Sequence, residues 1–141
     1  MALNPELIRE SLGVVVEREA AITPHFYERL FARYPQVRPL FSRNDPERQQ
    51  KMLQESIVAV VDHLEEPEWL AETLGNMGMQ HVDYGVTAEM YPWVAECLLD
   101  TLADIAADQW SDDYRAAWEE ALGAIAGLML AGAAKREAAT S

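Results

Sequence analysis

The sequence predicts an all-α protein with a single domain. Apolar residues recur with a helical period along nearly the whole chain, and no alternating strand pattern of useful length occurs. A length of 141 residues with 50% hydrophobic content suits one core. We therefore expect six or seven helices of unequal length within one domain over residues 1–141, with a frayed tail at 137–141. A simple up-down bundle would favour about four helices of similar length.

Helix starts are marked by a capping side chain followed by Pro at the first helical position, a combination that occurs three times in this chain. We place the helix starts at Asn4-Pro5, Thr23-Pro24, Asp45-Pro46, after Pro67, at Thr87 and at Ser111, with a short turn-like piece over 36–41. The fourth helix is expected to end at Gly85, and the last helix is expected to run to about Arg136.

Charge and composition exclude several classes of function. The formal net charge of -13 disfavours nucleic acid and anionic membrane surfaces, which bind clustered Lys and Arg. The longest apolar run, 121–134, contains three glycines and is too short to span a bilayer. No signal peptide is recognisable at the N-terminus, so we expect a cytoplasmic protein that binds neither nucleic acid nor membranes.

The single cysteine, Cys97, allows no intramolecular disulfide and no Cys/His zinc spacing. We expect it to be a small buried residue on a helix. The motifs of serine hydrolases, phosphate-binding loops, dinucleotide-binding folds and HExxH zinc enzymes are also missing.

Three histidines remain as candidate ligands: His25, His63 and His81. His25 lies in a first helical turn and His63 near a helix end, where structural or surface roles are typical. His81 ends a helix just before Gly85, and a long apolar helix begins beyond it. A ligand at this place can reach over a flat cofactor held between two helices.

Four motifs follow one another along the chain: Phe26-Tyr27, the run from Tyr34 to Phe41, the run from His81 to Val86, and Tyr91-Pro92. In this order they resemble the globin domain of bacterial flavohaemoglobins and the related single-domain bacterial haemoglobins. The resemblance extends from about Leu7 to Ala133, and the spacing matches without gaps between the third helix and the His81 region.

The resemblance implies a globin fold around haem b (iron protoporphyrin IX), with His81 as the proximal iron ligand. Phe41 would pack flat on the porphyrin. Tyr27 and Gln49 would be the distal pair, whose hydroxyl and amide donors stabilise the partial negative charge on iron-bound dioxygen. Gln50 is the alternative to Gln49, although the apolar stripe of this helix favours Gln49 facing inward. Leu53, one turn beyond Gln49, would press on the ligand site.

Other positions complete the implied pocket. Val86, Val94 and Ile125 correspond to cofactor-binding positions. Tyr91 matches a proximal tyrosine that, with a Glu on the last helix, orients the imidazole in the family. Here Ala133 takes the place of that Glu, so we expect an incomplete proximal network and weaker O–O bond chemistry.

The implied function is binding of dioxygen, and also of nitric oxide or other diatomic ligands, at a pentacoordinate haem, as a carrier or a sensor. The alternative is a nitric oxide dioxygenase. Flavohaemoglobins carry a reductase after the globin, and none is present in these 141 residues. Turnover would therefore need a separate reductase. A haem-free helical interaction domain is a further alternative, and a homodimer remains open.

Overall fold

The computed structural model describes residues 4–19, 22–41 and 45–140, with side chains to 138. Within them the chain forms six α-helices and two 3-10 helices and no strand, which confirms the all-α class. The α-helices are α1 (Pro5–Arg18), α2 (Thr23–Arg33), α3 (Pro46–Asp62), α4 (Pro67–Asp83), α5 (Met90–Ala106) and α6 (Asp112–Thr140). The 3-10 helices are Pro35–Phe41 and Ala107–Gln109.

Two of the expected starts have the expected capping geometry. The Asn4 side chain accepts a hydrogen bond from the Leu7 amide at 3.4 Å, and the Asp45 side chain accepts one from the Glu47 amide at 2.9 Å. In α2, by contrast, Thr23 is already helical, and Ile22 before it offers no side-chain cap.

The fifth helix begins at Met90, three residues later than the predicted Thr87. Residues 87–90 form a turn, in which the Met90 amide donates to the Thr87 carbonyl. Proline explains the delay, because a helix starting at Thr87 would require Pro92 to donate to the Ala88 carbonyl, and proline has no N–H. In the observed helix Pro92 lies in the first turn, where no such bond is needed.

The sixth helix continues to Thr140 instead of ending near Arg136. Residues 137–139 are Glu, Ala and Ala, which have high helix propensity and contain no breaker. No helix in the described part of the chain is long and apolar enough to cross a membrane.

All six α-helices contribute buried side chains to the core. Cys97 is fully buried, as expected. Within this core, the Trp118 indole N–H donates a hydrogen bond to the Ser11 hydroxyl at 2.7 Å. The largest fully buried side chains include Ile8, Val15, Ile22, Leu30, Leu74 and Leu102.

The fourth helix packs mainly against α6, and the two backbones touch. A β-carbon added to Gly78 would lie 1.8 Å from the Met129 carbonyl oxygen, and one added to Gly132 would lie 2.0 Å from the Gly75 carbonyl oxygen. The third helix packs instead against α1 and α2. The helices α3 and α4 thus have different main partners.

The backbone contact between α4 and α6 predicts a sharp difference between two glycine substitutions. Gly78→Ala forces α4 away from α6 and should destabilise the protein by about 1–3 kcal/mol, as overpacking does. Gly123→Ala on exposed α6 surface, where no atom lies within 4 Å, should instead stabilise by up to about 1 kcal/mol through helix propensity. Urea unfolding of both variants checks this, and equal stabilities would contradict the packing.

Candidate functional site

The predicted distal residues come together on α2, α3 and the first 3-10 helix. Tyr27 is 7% exposed, and its ring meets Phe41 edge-on with centroids 5.4 Å apart. The Gln49 side-chain amide donates to the Tyr27 hydroxyl at 3.4 Å. This contact supports Gln49 rather than Gln50 as the inward-facing residue of α3.

Tyr27 remains a hydrogen-bond donor at neutral pH. Burial raises the pKa of its phenol, an effect that the hydrogen bond from Gln49 opposes. A neutral phenol keeps its proton, and the hydroxyl only accepts from Gln49 in the bond described. The Tyr27 proton is therefore available to a further hydrogen-bond acceptor.

On the opposite side, α4 holds His81 in one defined state. Its Nδ1 lies 2.7 Å from the Met77 carbonyl oxygen, which can only accept, so Nδ1 carries the proton. Burial lowers the pKa of His81, although the bond to Met77 opposes this. The ring is therefore neutral, and Nε2 has an unshared electron pair with no hydrogen bond to the described residues.

Tyr91 lies beside His81, with ring centroids 6.4 Å apart. Its hydroxyl oxygen is buried and has no hydrogen-bond partner among the residues described, and burial raises the pKa of its phenol. Ala133 on α6 is buried next to Gly132, whose backbone touches α4. The Ala133 side chain carries no hydrogen-bonding group, so it offers no acceptor to Tyr91.

Several apolar residues that are predicted to line the cofactor are only partly covered. Val94 is 38% exposed although it lies within α5. Leu40 packs on Gly85, where a β-carbon would lie 3.4 Å from the Leu40 side chain, so the first 3-10 helix meets the α4–α5 corner. Incompletely covered apolar surface fits a flat, apolar guest. The half-buried predicted wall residues are Phe41, Leu53, Val86, Tyr91 and Ile125.

The other two histidines lie in different surroundings, as expected. His25 contacts Glu19 at 3.4 Å and lines a surface cleft of about 430 Å³ with Arg29 and Asp104. His63 stacks on Trp69 with ring centroids 3.9 Å apart. The described residues contain no group of three or more His, Cys, Asp or Glu side chains that could hold a metal ion.

Sequence reasoning did not identify two contacts near the site. Arg136 on α6 forms a two-pronged ion pair with Asp83, two residues after His81, at 3.0 and 3.2 Å. The Arg38 guanidinium lies 4.9 Å from the centre of the Phe31 ring, which packs on Phe41. The first contact joins residues 53 positions apart, and the second joins α2 to the 3-10 helix that follows it, so no local pattern predicts them.

Comparison with known proteins places the chain in a family. The globin family model matches residues 24–129. The chain belongs to the globin family. This globin is 30% identical over 126 residues to a flavohemoprotein of Rhizobium meliloti and 30% identical over 133 residues to one of Bordetella pertussis. These matches cover 88% and 91% of the chain but 31% and 33% of the relatives, so it spans about a third of their length.

Solved structures agree with this assignment. A carbene transferase engineered from a Rhodothermus marinus protein that is provisionally named a nitric oxide dioxygenase is 30% identical, with a TM-score of 0.85 and 99% of both chains covered. A bacterial globin from Campylobacter jejuni is 26% identical, with a TM-score of 0.77 over 93% of this chain and 94% of that one. The globin fold is thus confirmed, and the family and its relatives imply a haem cofactor.

The state of His81 predicts a pH dependence in the chain without cofactor. Because the folded pKa lies below the unfolded value of about 6.5, the unfolded chain binds more protons at acidic pH. The free energy of unfolding should therefore fall as the pH drops through this value. His81→Gln removes the titrating group. The free energy of unfolding, measured with urea, should therefore differ less between about pH 7.5 and 5.5 in this variant than in the unchanged protein. Parallel pH profiles for the two proteins would contradict a buried neutral His81.

Proposed function

We propose that this globin binds haem b between α3 and α4, with His81 as the iron ligand, and that it binds dioxygen and nitric oxide reversibly. The state of His81 carries this proposal. Its ring is neutral, its Nδ1 is held by the Met77 carbonyl, and its Nε2 is left with an unshared pair. This arrangement is typical of an imidazole metal ligand, in which the second nitrogen fixes tautomer and orientation.

The surrounding residues fit the same cofactor. Val94, Leu53 and Ile125 offer apolar surface that a porphyrin would cover, and Phe41 offers an aromatic ring. When bound, haem supplies an iron that takes a diatomic ligand and changes oxidation state. The protein would supply a fixed imidazole on one side of the cofactor and, on the other, apolar side chains that exclude water.

Tyr27 and Gln49 would act on the diatomic ligand as hydrogen-bond donors. A ligand that gains negative charge on binding is stabilised by donors already oriented in a dry site. The Tyr27 phenol keeps its proton because burial raises its pKa, and Gln49 holds the hydroxyl oxygen at 3.4 Å. Leu53 is one helical turn beyond Gln49 and would limit the space for larger ligands.

A nitric oxide dioxygenase that takes electrons from a separate reductase is the second candidate. The likeness to flavohemoproteins and to the Rhodothermus marinus protein favours it, as does the pair of distal donors. The proximal side favours simple ligand binding, because His81 donates to a neutral carbonyl and Ala133 offers no carboxylate. Stopped-flow mixing of the dioxygen-saturated protein with nitric oxide, with and without a flavin reductase, separates the two.

Haem titration of the chain tests the proposed cofactor and ligand together. The purified protein without cofactor should give a stoichiometric Soret band when haem is added. His81→Ala should abolish stable haem retention, whereas His25→Ala and His63→Ala should not. Lack of a Soret band in the unchanged protein would refute haem binding, and normal retention in His81→Ala would refute the ligand assignment.

Tyr27→Phe should accelerate dioxygen dissociation. Loss of a hydrogen bond to a charged acceptor costs about 1.5–3 kcal/mol, which corresponds to roughly a ten- to hundredfold faster off-rate. Gln49→Leu should act in the same direction, while Gln50→Leu serves as the matched control and should leave the rate unchanged. Displacement kinetics with carbon monoxide measure these rates. An unchanged off-rate in Tyr27→Phe would remove Tyr27 from the distal role.

A further inference from the structure

An aromatic pair outside the predicted pocket residues joins α2 to α5. Tyr34 follows the last residue of α2, and Trp93 lies in the first turn of α5. Their rings are stacked with centroids 4.6 Å apart and planes only 6° from parallel. Tyr and Trp are the side chains most readily oxidised by one electron among the aromatic residues, and here their π systems are in direct contact.

A carboxylate is placed to receive the Tyr34 proton. The Tyr34 hydroxyl donates to Glu96 Oε2 at 2.7 Å, and the other oxygen of Glu96 accepts from Arg33 at 3.1 Å. The hydrogen bond to Glu96 raises the pKa of Tyr34, so the resting phenol keeps its proton. A phenol that loses an electron becomes a strong acid, and its proton can then move along the existing hydrogen bond.

An aromatic row begins at the predicted distal residues and ends near this pair. Tyr27 and Phe31 stack with centroids 5.8 Å apart, and Phe31 meets Phe41 at 5.5 Å. Tyr34 follows Phe31 by three residues, so about one turn of chain separates the row from the Tyr34–Trp93 stack. The electron would cross this single gap between the stack and the row.

We propose that Tyr34, with Trp93 and Glu96, is a one-electron donor site that supplies the pocket when a hydroperoxide is reduced there. The inference rests on the proposed haem binding. Reduction of hydrogen peroxide to two waters consumes two electrons and two protons. The O–O bond breaks; a bound haem would be oxidised by one electron and Tyr34 by the other, while solvent supplies the two protons. Tyr34 becomes a neutral tyrosyl radical, and its phenolic proton passes to Glu96.

Rapid-freeze electron paramagnetic resonance of the haem-loaded protein mixed with equimolar hydrogen peroxide tests this site. The unchanged protein should give a tyrosyl radical signal, and Tyr34→Phe, which preserves the ring stack, should lose it. Tyr114→Phe is the matched control. The Tyr114 hydroxyl also donates to a carboxylate, Glu10, at 2.7 Å, but it lies on α6 away from the aromatic row. This control should keep the signal.

Glu96→Gln separates proton transfer from packing, because it keeps an acceptor but removes the strong base. It should slow radical formation without changing haem content. A tyrosyl signal that persists in Tyr34→Phe, or that is lost in Tyr114→Phe, would overturn the proposal. So would the absence of any protein radical in haem-loaded protein. Absence of a Soret band before peroxide is added would instead refute the proposed function.

Discussion

The direct contact between the backbones of α4 and α6 is the constraint on which the rest of the site depends. Gly78 and Gly132 leave no room for a β-carbon at this contact, and His81 lies one turn beyond Gly78. The ion pair between Asp83 and Arg136 ties the end of α4 to the same helix. The contact between the two backbones therefore sets the position of the His81 imidazole relative to α6. The position of α3 depends instead on its packing against α1 and α2.

Burial determines the protonation states of the polar side chains in the site. Burial keeps His81 neutral with an unshared pair on Nε2, and it keeps Tyr27 protonated as a donor. An electron-pair donor and a hydrogen-bond donor thus lie on different helices with apolar side chains between them. Tyr91 is the exception, since its buried hydroxyl has no acceptor among the described residues. A buried hydroxyl without a partner costs about 1–3 kcal/mol, and the alanine side chain at position 133 offers no acceptor.

Local patterns in the sequence anticipated the helices and much of the candidate site. The capping side chains at Asn4 and Asp45 are observed, and Tyr27 contacts Gln49 as the resemblance implied. What was missed depends on long-range packing. Glycine in a helix interior lowers helix propensity but says nothing about which backbone it will meet, so Gly78 gave no indication of α6. The Tyr34–Trp93 stack joins the end of α2 to α5, and no local pattern predicts it. The late start of α5 could have been predicted only by setting the missing N–H of Pro92 against the helix-start signal at Thr87.

The central claim is that His81 binds the haem iron, and a hyperfine measurement tests it most directly. In a variant with His25 and His63 replaced by Gln, His81 is the only histidine. The nitrosyl form of this variant, prepared with ¹⁵N-labelled histidine, should show hyperfine coupling between the unpaired electron and one histidine nitrogen in electron–nuclear double resonance. A haem-containing protein without ¹⁵N coupling would contradict the account, because another residue would then hold the iron.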